Sequence, residues 1–431
     1  MSSVSSWLKR APVFAVGLAV AVMTAAPPAN ALPRMSLVAG SPCATCHVAA
    51  QGGGMRNSIG FGTSQHTGAV PWSKMGVKSF DTGSPSFGGD TVTVGADIRS
   101  VLARMGRPKG DKKGDAELPD FLYVPMQLQP YVGIKPVEWL DIVGSYNLAT
   151  LQRAFPGQAT WEAFAQVHGP AHLPTVRVGM IQPTFGIRHD DHSMLIRADA
   201  TSPRRPVIPP NYAEIGGELG YQPISWLRVD AGGFMVDNLK QTAAAAVGSS
   251  KFAYSARVMV MPQIIFGGSG EGGPTDDGFD DDDDDDFGED DDEEEDDGGS
   301  AGSINTWLGG SVFGAGDFQM INAFLGVGAS NLGSLIVEGA MIQKGPNWTG
   351  VNMMAMLSVR AGFEWLYFNV RGEQATMTEV NTSGGAVTTQ QFVVGFEVFP
   401  FAYLEVRPEY RILITDEYRM NHYTLQFHTA F

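Results

Sequence analysis

Cys43-Ala44-Thr45-Cys46-His47 is the stretch of this chain whose residue types and spacing most directly specify a chemistry. Two thiols two residues apart can form thioethers to both vinyl groups of one porphyrin. The histidine that follows then lies under the iron as proximal ligand. A redox dithiol or a structural disulfide shares the C-x-x-C spacing. A dithiol of the redox kind normally follows a strand and opens a helix, whereas here Gly40-Ser41-Pro42 precedes and Gly52-Gly53-Gly54 follows. Both cysteines of the chain are used, and a histidine stands directly after them. The motif therefore predicts one covalent haem c, held by Cys43, Cys46 and His47. Candidates for the sixth iron ligand are Met55, His66 and Met75 downstream and Met35 upstream. A loop needs some length to reach the opposite haem face, which favours His66 or Met75. Methionine there raises the reduction potential and histidine lowers it.

The elements that must position this motif begin with an export signal. Lys9 and Arg10 precede an apolar run, Ala11 to Thr24, and Ala29-Asn30-Ala31 supplies the small-x-small pattern of a cleavage site. Residues 1–31 read as a signal peptide, with a mature start at Leu32. The run is short for a membrane span of about 20 residues, and no second apolar run of spanning length follows. Residues 32–88 read as a monohaem cytochrome c-like segment. A segment of this size buries little core beyond the porphyrin itself, so it is expected to lean on the rest of the chain.

From residue 89 to 431 the pattern is that of strands. Thr91-Val92-Thr93-Val94-Gly95-Ala96-Asp97-Ile98 and Phe363-Glu364-Trp365-Leu366-Tyr367-Phe368-Asn369-Val370 alternate with period two. A strand, a tight turn, an aromatic and a second strand recur in Val132–Ile142, Leu219–Val229, Arg360–Tyr367 and Phe396–Val406. Short turns with an aromatic just inside suit the rim and interfacial girdle of an outer-membrane barrel; a large soluble β-sandwich also has hairpins. The last nine residues, from Tyr423 through Leu425 and Phe427 to Phe431, keep the alternation to the end of the chain. That ending resembles the terminal strand by which bacterial outer-membrane proteins are recognised for assembly. The expected fold is all-β: a transmembrane outer-membrane β-barrel of about 16 strands with the small haem segment at its N-terminus. Fifteen strand segments are legible. Because single-chain bacterial barrels use even numbers, a sixteenth is expected near His192 to Ala200. A cylinder of this size can enclose a lumen.

The net charge of −17 comes from one insert. Asp276 to Asp297 holds 18 of the 46 acidic residues, and the remaining 28 acids face 29 Lys and Arg. No basic cluster exists to neutralise phosphates, so nucleic acid is not a partner. Residues 267–302 are nearly devoid of apolar groups and are expected to be a disordered, solvated loop. Counting turns back from the C-terminus puts that loop on the periplasmic side, where it could dock a basic redox carrier. A second polar group, His189-Asp190-Asp191-His192 with Arg188 and Arg197 nearby, has the residue types of a metal or haem site. Lining of a wet lumen is the preferred reading. Nothing resembles a nucleophile elbow, a phosphate loop or a zinc-protease helix.

An exported C-x-x-C-H segment followed directly by a barrel resembles the fused monohaem cytochrome–porin proteins of the outer membrane, of which those implicated in extracellular iron oxidation are the best known. The specific motifs carrying the resemblance are Cys43 to His47 and the terminal Phe431; in architecture it spans the mature chain. It implies a haem in or at the mouth of the pore, passing electrons across the outer membrane. The partners implied are outer-membrane lipid, a periplasmic c-type cytochrome or other small redox carrier, and an extracellular electron donor or acceptor such as Fe(II). A monomer is expected.

Overall fold

Successive residues of the strands face two different media. Asp97, Arg99, Arg177, Glu218 and Arg371 point inward and are buried, while Val94, Leu102, Val178, Leu219 and Val370 point outward and are exposed. Hydrocarbon demands this arrangement. It accepts apolar side chains and leaves no water for unpaired backbone groups, so a spanning sheet must close on itself.

The structure, a computed structural model, describes residues 33–39, 43, 46–49, 51–52, 54–57, 60, 70, 86–88, 91–106, 121–149, 156–169, 173–189, 191, 193–199, 202–266, 302–330, 332–380, 385–401 and 403–430. Sixteen antiparallel strands form the wall. They are β1 Val92–Met105, β2 Leu122–Val137, β3 Leu140–Tyr146, β4 Trp161–Val167, β5 Thr175–Ile181, β6 Glu214–Ile224, β7 Leu227–Phe234 and β8 Ala253–Val260, then β9 Gly302–Ala315, β10 Phe318–Ala329, β11 Gly333–Lys344, β12 Trp348–Arg360, β13 Leu366–Glu379, β14 Val387–Phe401, β15 Leu404–Thr415 and β16 Arg419–Ala430. Each pairs with its sequence neighbour. The seam between β1 and β16 runs from Asp97 opposite Ala430 to Met105 opposite His422. Gln263–Phe266 prolongs β8 along β9 after a break at Met261-Pro262, where proline has no N–H to give the ladder.

The closed cylinder with its apolar exterior is a bacterial outer-membrane β-barrel. A charge placed on its lipid face should be costly. Val337, midway along β11 and exposed to the outside, is a suitable position. Val337→Arg is expected to lower folding stability in a bilayer by roughly 2–4 kcal/mol, measurable by denaturant titration of the protein in lipid vesicles.

All four aromatic hairpins read from the sequence turn at one rim, the rim that holds the start of β1 and the end of β16. Trp139 and Trp226 are exposed there, and Phe363 stacks on Trp365 with ring centroids 5.0 Å apart. The longest described connections leave from the opposite rim. The pattern of bacterial barrels assigns the short-turn rim to the periplasm. Phe266 and Gly302 pair at that rim; the acidic residues between them lie outside the described residues.

Sixteen strands agrees with the expected number, but the strand expected near His192 to Ala200 is not in the wall. The wall uses Trp161–Val167 instead, between β3 and β5. Within the expected stretch lie a 3-10 turn, Leu195–Arg197, and a short strand, Ala198–Asp199, that pairs with Ser202–Pro206 inside the barrel. Leu195 and Ile196 are consecutive and both buried. A wall strand would have to show one of them to lipid, whereas inside the lumen protein surrounds both.

Two segments fill the lumen. Helix α1, Pro33–Ala39, lies against β9, β10 and β11. The connection between β5 and β6 folds inward and reaches the opposite wall, where the Asn352 side chain donates to the carbonyls of Leu195, Ile196 and Ala198. Leu37, Phe185, Leu195, Tyr212, Phe313 and Ile336 join in one apolar cluster. A second helix, α2 Leu239–Val247, lies in the connection between β7 and β8 on the far rim and packs across β10 and β11.

Candidate functional site

The motif residues sit inside the cylinder. His47 N–H donates to the Cys43 carbonyl at 3.0 Å and Cys46 N–H to the same oxygen at 3.2 Å. The peptide from Cys43 to His47 therefore makes a single helical turn. Residues three and four apart on such a turn share a face, so both thiols and the imidazole come to one side. The chain then doubles back. His47 pairs with Arg56, Val48 N–H donates to Met55 O at 3.2 Å, and Asn57 N–H donates to Cys46 O at 3.1 Å. The reversal needs left-handed backbone at Gly52, φ 83°, and Gly54, φ 64°, which glycine adopts without steric cost.

This hairpin is fastened to the wall. Gln166 of β4 donates to Val48 O at 2.9 Å, Gln51 donates to Gln182 O at 3.2 Å, and Arg188 donates to Gly52 O at 3.0 Å. Arg34 of α1 forms a buried ion pair with Glu397 and a longer one, 3.4 Å, with Glu405. Leu37 lies so close to β10 that a Cβ on Gly328 would come within 2.6 Å of the Leu37 carbonyl. Gly328→Val should therefore push α1 off the wall. Arg34, buried in the native barrel, is expected to resist trypsin in the wild type and to be cut in the variant, as mass spectrometry of the folded protein in detergent will show.

Beside His47 is a cavity of about 370 Å³, within the range of roughly 300–1,000 Å³ typical of ligand pockets. Val48, Met55, Lys135, His168, Arg177 and Arg228 also line it. Burial pushes both thiols up, with Arg257 opposing this at Cys43 and Arg56 at Cys46. Of the motif, His47 lines the cavity; its charged walls are mixed, with Lys135, Arg177 and Arg228 beside Glu138, Asp141 and Glu218, and Arg177 is paired with Glu218 at 2.9 Å. The residue types of the motif, two thiols and an imidazole on one helical turn, are those that hold a haem c.

Of the proposed sixth ligands, Met55 lines this cavity. Met35 is buried in α1. His66 and Met75 lie outside the described residues. His168, which sequence reasoning passed over, also lines the cavity.

The second polar group is not a joint metal site among its described members. His189 Nε2 meets Glu338 at 2.5 Å, whereas Asp191 faces arginines of β13 and β15. Arg371 Nη2 reaches Asp191 at 2.6 Å, Arg411 Nη2 at 3.0 Å and Arg407 at 4.0 Å. Burial alone would raise the Asp191 carboxyl, but Arg411, Arg371 and Arg407 outweigh it and hold it well below the usual carboxylate range. Arg197 donates to the carbonyls of Phe185 and Ile187, within its own loop. These residues dock the inner loop across the lumen. Asp190 and His192 lie outside the described residues.

Fold and lumen together define the class: a 16-stranded, porin-like outer-membrane barrel with an occupied interior. No family model matches the chain, and no curated protein matches it. Among solved structures, a loop-deletion mutant of OmpT from Vibrio cholerae is similar at 12% identity, with a TM-score of 0.47 over 79% of this chain and 99% of its own. The outer-membrane channel DcaP of Acinetobacter baumannii is similar at 11% identity, with a TM-score of 0.46 over 79% of this chain and 97% of its own. Pseudomonas aeruginosa OccK2, solved with glucuronate, is similar at 11% identity, with a TM-score of 0.41 over 80% and 99%.

Proposed function

We propose that this barrel is an electron conduit of the outer membrane, built around one haem c attached through Cys43 and Cys46 and ligated by His47. The observation that carries the reading is the position of that turn. It lies inside the lumen, Cys43, Cys46 and His47 occupy positions on one face of a helical turn, and His47, of the three, lines the cavity.

The bilayer is an insulator of about 30 Å, and a redox centre within the cylinder shortens the distance to donors and acceptors on both faces. The haem supplies one-electron chemistry when bound. The chain's own residues do the rest. Cys43 and Cys46 tether the group, and His47 orients it. Lys135 lines the cavity beside Glu138, while Arg177 and Arg228 there are held by Glu218 and Asp230. Helix α1 and the inner loop exclude bulk water. The acidic segment joins the wall at the rim of the chain termini, so a basic periplasmic cytochrome or other cationic redox carrier is the partner its charge would attract.

A second reading, solute diffusion past a haem-bearing plug, is favoured by the charged inner wall of β13 and β15, with Arg371, Glu373, Arg407, Glu409 and Arg411. The Acinetobacter baumannii protein of similar fold is an outer-membrane channel. A visible spectrum and redox titration of the detergent-extracted mature protein test the first reading. It requires a haem that stays on the polypeptide through denaturation. Liposomes with an enclosed oxidant and an external reductant must also show electron transfer without solute leakage. A coloured protein that conducts ions in planar bilayers, with a haem that the external reductant does not reach, would establish the second.

A further inference from the structure

We infer that His168 is the distal iron ligand, an assignment that rests on the haem reading above. His168 follows directly on β4. Phe164 and Gln166 of that strand point inward, so the two-residue period carries His168 to the same face. It lines the cavity that His47 lines. It is also tied to the haem turn through one side chain: the Gln166 amide stands 3.2 Å from His168 Nε2 and donates to Val48 O at 2.9 Å. Val48 is the residue after His47.

The ring is also held from the other strand. Asp141 of β3 lies 2.5 Å from His168 Nε2, and His168 N–H donates to Trp139 O at 2.8 Å. A carboxylate on one ring nitrogen is the usual outer partner of a metal-bound histidine; it fixes the ring and leaves the other nitrogen to the metal. The His168 side chain is 40% exposed, whereas the β4 residues on its own face, Phe164 and Gln166, are buried. Met55 lines the same cavity, but its thioether packs over Gly133. Two imidazoles set a lower reduction potential than histidine with methionine.

The test is spectroscopic. Wild-type, His168→Ala, Asp141→Asn and Met55→Leu proteins are extracted in detergent and oxidised. Their visible, near-infrared and paramagnetic resonance spectra are then recorded, with heat-modifiable gel mobility confirming a folded barrel. Wild type and Met55→Leu are expected to show low-spin ferric haem with two nitrogen ligands. His168→Ala is expected to become high-spin and to return to low-spin on addition of free imidazole. Asp141→Asn is expected to stay coloured with a raised midpoint potential. The assignment fails if His168→Ala keeps the wild-type low-spin spectrum while carrying covalent haem, or if wild type shows a methionine-to-iron charge-transfer band that Met55→Leu abolishes. Should His168→Ala not fold, the wild-type spectrum decides: bis-nitrogen ligation supports the assignment, and methionine or high-spin iron overturns it. A colourless wild type overturns the haem reading and this inference together, whereas a coloured wild type unaffected by His168→Ala overturns this inference alone.

Discussion

Replacing Cys43 by serine should abolish electron transfer across liposome membranes while the barrel still inserts. Cys43 sits inside the lumen, on the turn that carries Cys46 and His47, and the sixteen wall strands close without it. Serine is nearly isosteric and can remain beside Gly52, whose own Cβ position would be 3.3 Å from the Cys43 Cβ, but it cannot form a thioether. The expected result is a protein with normal heat-modifiable mobility, covalent haem lost or reduced to a single attachment, and transfer rates at the level of empty vesicles. The Cys46→Ser variant should behave alike. If transfer from an external reductant to an enclosed acceptor continued without haem, the conduit reading would be wrong.

The second large effect is expected at Asp191. Its carboxylate takes Arg371 and Arg411 on one oxygen and the backbone and hydroxyl of Ser193 on the other. Removing one member of a buried ion cluster leaves unopposed charge and typically costs about 3–5 kcal/mol. In Asp191→Ala that cost falls on the docking of the inner loop, because the wall hydrogen bonds of β13 and β15 are unchanged. A loss of this size is enough to populate a displaced loop. Planar-bilayer recordings are expected to show ion conductance well above wild type, with frequent gating between levels. Asp191→Glu, which keeps the charge, should stay near the wild-type level. Equal conductance in Asp191→Ala and wild type would mean that this loop does not obstruct the lumen.

What the sequence made legible was the boundary with lipid. Lipid imposes a strict rule on every second residue, so Val92–Met105, Leu366–Glu379 and Arg419–Ala430 announce themselves, and exposed Trp139 and Trp226 mark the rim turns. β4 escaped because its outward residues include Ala163 and Ala165, whose apolar signal is weak, while the inward Phe164 breaks the polar-in period. Without that strand, the inward direction of His168 could not be read. The lumen obeys no comparable rule. Met194, Leu195 and Ile196 look like a strand, yet they are buried on all sides by other parts of the chain. Arg34 gave no local sign of its partner, since Glu397 lies 363 residues away. The pattern from Cys43 to His47 stood out in the sequence because it is written in five adjacent residues. Its place inside the cylinder depends on contacts with β4, β5 and β10, which only the closed sheet brings together.

The pairing of Asp97–Met105 with His422–Ala430 joins the first wall strand to the last. It can form only after the whole polypeptide has been exported. Helix α1 and the hairpin from Cys43 to Asn57 already have to be on the inner side when that seam forms, because strands later enclose them. Biogenesis is thereby ordered: on the haem reading proposed above, a group joined to Cys43 and Cys46 would have to be attached before the last strand docks, since a chain that closes early shuts its own thiols inside.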